Sequence, residues 1–151
     1  MEEVDVLVVG SGPAGSTAAR FAAEGDASVL FIERRAEVGV PVRCGEFMPG
    51  LGEIKTMFPK LEDADSLFDI PDSLRCLDIK GIKLVNPKDK VTLLDMDGYT
   101  TDRDKFDQYL AKIAEEEGAV LENNRMFLGI EGGVAKTTKG DIRYKVIIGA
   151  D

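Results

Sequence analysis

The sequence predicts an α/β fold in which a parallel sheet is interrupted by antiparallel strands. Two apolar runs, VDVLVV at residues 4–9 and SVLFI at residues 28–32, lack polar alternation. Runs of that kind read as strands covered on both faces, as in parallel sheets. An alanine-rich stretch of helical length, AGSTAARFAAE, lies between them. From Leu74 the pattern changes to alternation, with Leu77 and Ile79 on one side and Asp78 and Lys80 on the other. A period of two belongs to strands with one covered face, here an antiparallel hairpin.

The chain has 151 residues, enough to bury a core without disulfides or metal. With 44% hydrophobic and 31% charged residues it reads as globular. Its net charge of −9 argues against nucleic acid as a general partner. It has no histidine and only two cysteines, Cys44 and Cys76, which argues against a zinc site and a disulfide framework. A reduced, cytoplasmic setting is the simplest reading. No apolar run approaches the length of a membrane span, and the acidic start MEEVDVLVVG is unlike a secretory leader.

The elements follow in order. Residues 4–9 form the first strand, and residues 10–15 a turn. Pro13–Glu24 is a helix, with proline in the first turn where a missing N–H costs nothing, and Gly25 as its stop. Residues 28–32 form the second strand, closing a βαβ unit. Residues 39–52, rich in glycine and proline, read as an extended loop or helix entry. Ile54, Met57 and Phe58 suggest a short helix before Pro59, and residues 62–66 a solvated connection. Residues 74–85 and 91–94 are hairpin strands around the turn NPKDK. Thr101 or Asp102 caps a helix whose apolar stripe is Phe106, Leu110, Ile113 and Ala114, with Gly118 ending it. That stripe is core, and Glu115, Glu116 and Glu117 are a solvated helix end. Strands at residues 119–121, 126–130, 134–138 and 142–148 complete the pattern.

The chemistry sits at the first turn. Gly10, Gly12 and Gly15 spell G-x-G-x-x-G after a buried strand and at a helix start, and Glu33 stands at the end of the next strand. In that context the pattern marks a dinucleotide site. Gly10 permits the turn, Gly12 admits a pyrophosphate, and Gly15 lets helix and strand close up. The helix N-terminus supplies free N–H groups and a positive dipole end. Glu33 would accept hydrogen bonds from a ribose diol and disfavours a 2′-phosphate. FAD and NAD both remain open. The G-P-A-G form and the hairpin that follows lean towards FAD.

Five stretches, VVGSGPAGSTAA, IERR, PVRCGE, GYTTDRDKFDQYLA and VIIGAD, resemble the N-terminal part of the geranylgeranyl reductases. These belong to the flavin group typified by p-hydroxybenzoate hydroxylase, and PVRCGE points to the reductases within it. The resemblance implies a three-layer, Rossmann-like FAD-binding domain interrupted by antiparallel strands of a partial substrate domain. Residues 1–151 would be the N-terminal part of the FAD-binding domain, residues 67–100 an inserted hairpin of the substrate domain, and the rest of the protein would lie beyond this sequence. The implied FAD contacts are Gly10, Gly12, Pro13, Ala14 and Gly15 at the pyrophosphate, and Glu33 with Arg34 at the adenosine ribose. Arg43, Cys44, Gly45 and Arg103 would lie towards the flavin, Met126 would reach adenine by its backbone, and Asp151 matches the acid of the group's G-A-D-G sequence.

The implied activity is FAD-dependent saturation of isolated double bonds in geranylgeranyl chains, on archaeal-type glycerophospholipids. It brings a geranylgeranyl lipid substrate, an electron donor (NAD(P)H, a ferredoxin or a flavoprotein) and peripheral contact with a membrane. A monooxygenase of the same group and a non-catalytic nucleotide-binding fragment are the competing readings. Reduction of an unactivated alkene needs a proton as well as a hydride. A thiol ordinarily ionises at a pH of about 8.5 and so carries a proton at neutral pH. Cys44 is therefore a proton donor beside Arg43, a shaper of the flavin pocket, or a small residue in a crowded spot beside Gly45. Arg103 has a surface role as its alternative, and Cys76 reads as packing.

Overall fold

The computed structural model describes residues 1–151. Strand β1 runs Glu2–Val9, helix α1 Pro13–Glu24 and strand β2 Val29–Ile32. Contacts divide the chain into two units, one of residues 1–42 with 104–151, the other of residues 43–103.

In the first unit, helix α4 spans Arg103–Glu116 from the unit's boundary, followed by β6 (Val120–Glu122), β7 (Phe127–Glu131), β8 (Val134–Thr137) and β9 (Ile142–Gly149). The strand order is β6-β2-β1-β9-β8-β7. The four strands from β6 to β9 run parallel, and β9, β8 and β7 form an antiparallel meander. The apolar runs of β1 and β2 place residues on both faces, as a period of two dictates. Val8, Val29 and Phe31 face Ala19 and Ala23 of α1 and Ala111 and Ala114 of α4. Leu7, Val9, Leu30 and Ile32 face the other way, packing with Ala135 and Ile142. Alanine on both helices sets a short helix-to-sheet distance, which large side chains would not allow.

The helical stripe on α4 is shifted from the expected one. Phe106, Asp107, Ala111 and Ala114 are the buried residues. Leu110 and Ile113 are half-buried at its margin. The small Ala111 and Ala114 pack in one cluster with Val8 and Phe31 of the sheet. Gln108 Nε2 donates to Glu37 Oε1 at 3.0 Å and to the Val38 carbonyl at 3.1 Å, fixing the segment after β2 against the helix.

In the second unit, β3 (Phe47–Pro49), β5 (Val91–Thr101) and β4 (Arg75–Val85) form an antiparallel sheet in the order β3-β5-β4. Two short helices, α2 (Leu51–Met57) and α3 (Ala64–Leu67), lie between β3 and β4. The hairpin turn is built by Asn86, whose Oδ1 accepts the N–H groups of Lys88 at 2.8 Å and Lys90 at 3.0 Å. Three expectations change here. Residues 39–52 contain the strand β3, residues 62–66 overlap the helix α3 with Ala64 fully buried, and β5 continues well past Leu94. Gly98 makes the β3–β5 pairing close, since a β-carbon there would collide with the Met48 carbonyl oxygen and the Phe47 ring.

Candidate dinucleotide-binding site

β1 lies between β2 and β9 and parallel to both, and the glycine turn follows at its carboxyl end. In open α/β sheets that point leaves a crevice for ligands. A crevice of 260 Å³ opens here, lined by Val9, Gly10, Gly12, Ile32 and Glu33 at the strand ends. Arg34, Arg35, Arg125, Met126, Phe127, Ala150 and Asp151 complete it.

The three glycines have distinct geometric reasons. Gly10 has φ +101°, the left-handed region that β-carbons disfavour, and a β-carbon there would sit 2.5 Å from the Ala150 carbonyl oxygen. A β-carbon on Gly15 would overlap the Gly10 carbonyl oxygen, so helix and turn touch at backbone distance. Gly12 is the reverse case. It precedes α1 in extended conformation, and a β-carbon there would meet no protein atom within 4 Å. The space it leaves belongs to the crevice. The first helical hydrogen bond runs from Ser16 N–H to the Gly12 carbonyl at 2.9 Å. Pro13 has no N–H, so the N–H groups of Ala14 and Gly15 precede the ladder and are left for an anion.

Glu33 is 8% exposed at the end of β2. Its Oε2 accepts the Ser11 hydroxyl at 3.1 Å and the Ser11 N–H at 3.4 Å, and its Oε1 accepts the Arg35 N–H at 2.9 Å. Its backbone is tied across the sheet, with Glu33 N–H to the Glu122 carbonyl at 2.9 Å and Arg125 N–H to the Glu33 carbonyl at 2.8 Å. These bonds bring residues 122–126 against β2 and set Met126 on the crevice wall.

The structure therefore gathers Gly10, Gly12, Glu33, Arg34, Met126 and Asp151 around one space, with Pro13, Ala14 and Gly15 in the helical turn beside it. Arg43, Cys44, Gly45 and Arg103 belong to the second unit. Cys44 is exposed and a β-carbon on Gly45 would meet nothing within 4 Å, so the crowded-packing reading of Cys44 does not hold in this structure. Cys76 is also exposed, with its Sγ 3.5 Å from Asp102 Oδ1, which overturns its reading as packing. Two residues escaped the sequence reading. Ser11 was a spacer inside the glycine motif. Arg125 belongs to no motif, yet it is 3% exposed.

Residues 5–47 match the family described as FAD dependent oxidoreductase. Over 151 aligned residues the chain is 37% identical to an uncharacterized protein in the nifH2 5′ region of Methanosarcina barkeri, covering 97% of this chain and 81% of that one. It is 38% identical to a digeranylgeranylglycerophospholipid reductase of Thermoplasma acidophilum, covering 100% of this chain and 40% of that protein. A solved structure of a geranylgeranyl bacteriochlorophyll reductase-like protein from Thermoplasma acidophilum superposes with a TM-score of 0.81 at 38% identity, over 100% of this chain and 40% of that chain. The parallel sheet, the glycine turn and the crevice at the strand ends define a Rossmann-like dinucleotide-binding domain. The chain belongs to the geranylgeranyl reductase family of FAD-dependent oxidoreductases. It spans 40% of the length of the Thermoplasma acidophilum reductase that it matches.

Proposed function

We propose that this chain binds FAD in the crevice and serves a reductase that saturates isolated double bonds in the geranylgeranyl chains of archaeal-type glycerophospholipids. The observation that carries the reading is the pairing of open space at Gly12 with the buried Glu33 across the crevice. The residues present fit the adenosine diphosphate half of FAD. Ala14 and Gly15 would hold the pyrophosphate by their N–H groups, Glu33 a ribose hydroxyl, and the Met126 backbone the adenine edge. Arg34 would stand beside the ribose and Asp151 at the end of the crevice. Arg43, Gly45 and Arg103 are proposed for the flavin half.

When bound and reduced, FAD supplies the hydride. The second alkene carbon needs a proton, and Cys44 is the proposed donor, an exposed thiol with Arg43 beside it in sequence. The relatives named as digeranylgeranylglycerophospholipid reductases support the substrate class, and a reductase of this kind needs an electron donor, for which NAD(P)H, a ferredoxin or a flavoprotein is our proposal. In this reading the protein works in the cytoplasm, at a membrane surface where a lipid substrate lies. No helix here is long and apolar enough to cross one.

The test has two parts. The purified protein is examined for flavin absorbance, and any released cofactor is identified by mass. Hydrogenation of a geranylgeranyl glycerophospholipid is then followed without oxygen, with and without Cys44→Ser. FAD and a saturated lipid are expected, with the Cys44→Ser rate down by about tenfold or more. An oxygenated product formed only in air would instead assign a monooxygenase.

A further inference from the structure

Ser11 is wholly buried between two glycines of the phosphate-binding turn. Its polar atoms are all engaged within the protein. The hydroxyl donates to Glu33 Oε2 at 3.1 Å, the N–H reaches the same oxygen at 3.4 Å, and the carbonyl accepts the Ser16 hydroxyl at 3.0 Å. Its N–H is therefore turned to the carboxylate and away from any anion at the helix. With the Arg35 N–H on Oε1 at 2.9 Å, the carboxylate is gripped on both oxygens from the protein side.

We propose that Ser11 is a positioning and specificity-determining residue, which locks the Glu33 carboxylate in the orientation that accepts an unphosphorylated adenosine ribose. The proposal rests on the reading of the crevice as a dinucleotide site. A carboxylate offers about four lone-pair positions; the three bonds from Ser11 and Arg35 leave one for a ribose hydroxyl. A side chain already fixed loses no rotamer freedom when the ligand arrives, so the ribose bond is gained at lower entropic cost. The lock also holds negative charge where a 2′-phosphate would lie. Without the hydroxyl, Glu33 is free to swing towards the guanidinium of Arg34 or Arg35, and the ribose loses its acceptor.

The test is a cycle between variant and ligand, read by calorimetry on the 151-residue chain. The ligands are ADP and 2′,3′-dideoxy-ADP, which differ only in the ribose hydroxyls. Ser11→Ala should weaken ADP binding by about tenfold, in line with losing a hydrogen bond to a charged group, and should change dideoxy-ADP binding by less than about twofold. Ser11→Cys, with a similar shape and a weaker donor, should fall between, and it decides the matter if the alanine variant does not fold. Equal losses for both ligands would show a general structural role and overturn the proposal, as would no loss for either. If the unaltered chain binds neither FAD nor ADP, the dinucleotide reading itself fails and takes this proposal with it. ADP binding that is identical in all three proteins sinks this proposal alone.

Discussion

Arg125 and Glu2 are 123 residues apart in the chain, yet Arg125 Nη1 donates to Glu2 Oε2 at 2.7 Å. The same nitrogen reaches Glu122 Oε2 at 3.0 Å, Nε donates to Thr137 Oγ1 at 2.9 Å, and Nη2 lies 3.4 Å from the Gly140 carbonyl. One buried guanidinium thus ties the start of β1, the end of β6 and the β8–β9 turn together beside the crevice. Its planar fork of donors suits that task, which the single ammonium of lysine does not.

Replacing Arg125 with methionine should destabilise the protein by about 2 kcal/mol in urea unfolding. The figure is below the usual cost of breaking a buried pair, because Glu2 and Glu122 are partly exposed and rehydrate when the arginine is lost. Glu2→Gln should cost less than about 1 kcal/mol, since Glu122 and Thr137 still hold the guanidinium.

The glycines of the turn should separate stability from binding. Gly15→Ala forces a β-carbon onto the Gly10 carbonyl oxygen, and about 3 kcal/mol of stability should be lost. Gly12→Ala meets no protein atom within 4 Å, and its extended backbone suits alanine, so stability should change by less than about 1 kcal/mol. FAD affinity should nevertheless fall by more than about tenfold, because the new methyl enters the space the pyrophosphate needs. Thermal melts of both proteins with flavin titration check the split. A Gly12→Ala protein that binds FAD normally would contradict the proposed site.

Acid should weaken the contact between β1, β2 and β9. The ammonium of Lys145, then the N–H and hydroxyl of Ser28, hold the Asp5 carboxyl well below its ordinary value of 3.8. The ionised form is the one the fold favours. Its contribution is present in full above the ordinary value and is lost as pH falls from there towards the lower folded value. The Tm gap between the unaltered protein and Asp5→Asn should therefore be widest at a pH of about 6 and narrow on acidification below about 4. A gap that stays constant with pH would rule out this carboxylate as the source. The same bond raises Lys145 above its ordinary value of 10.5, so its share persists below that value and is lost as pH rises past it.

Both thiols should react in the native protein with a disulfide reagent, because Cys44 and Cys76 are exposed. Cys44→Ser should leave one reactive thiol and change stability by less than about 0.5 kcal/mol, as for a surface position. A protected Cys44 that reacts only after denaturation would restore the packing reading.

Much of the first unit was legible in order along the chain. Residues 4–9 and 28–32 have nowhere to go but a doubly covered strand, and Pro13–Glu24 carries its own start signal and stop. The second unit was less legible. β3 is three residues long and exists because β5 offers it a partner edge, as Phe47 pairs with Thr100 and Pro49 with Gly98. A strand that short has no periodicity to read. The α4 stripe shifted for a related reason: propensity marks which residues are apolar, while the sheet decides which of them it can approach.

The sequence alone determined the βαβ start, the glycine turn and the acid at the end of the second strand, because each rests on local rules of backbone freedom and side-chain period. Tertiary structure decided the rest of the site. It brought residues 122–126 and 150–151 against the strand ends, buried Arg125 between nearby Glu122 and distant Glu2, and aimed the Ser11 hydroxyl at Glu33. Those relationships arise from pairing between distant segments, and a hydrogen bond between residues 11 and 33 or 2 and 125 leaves no periodic trace in the order of the amino acids.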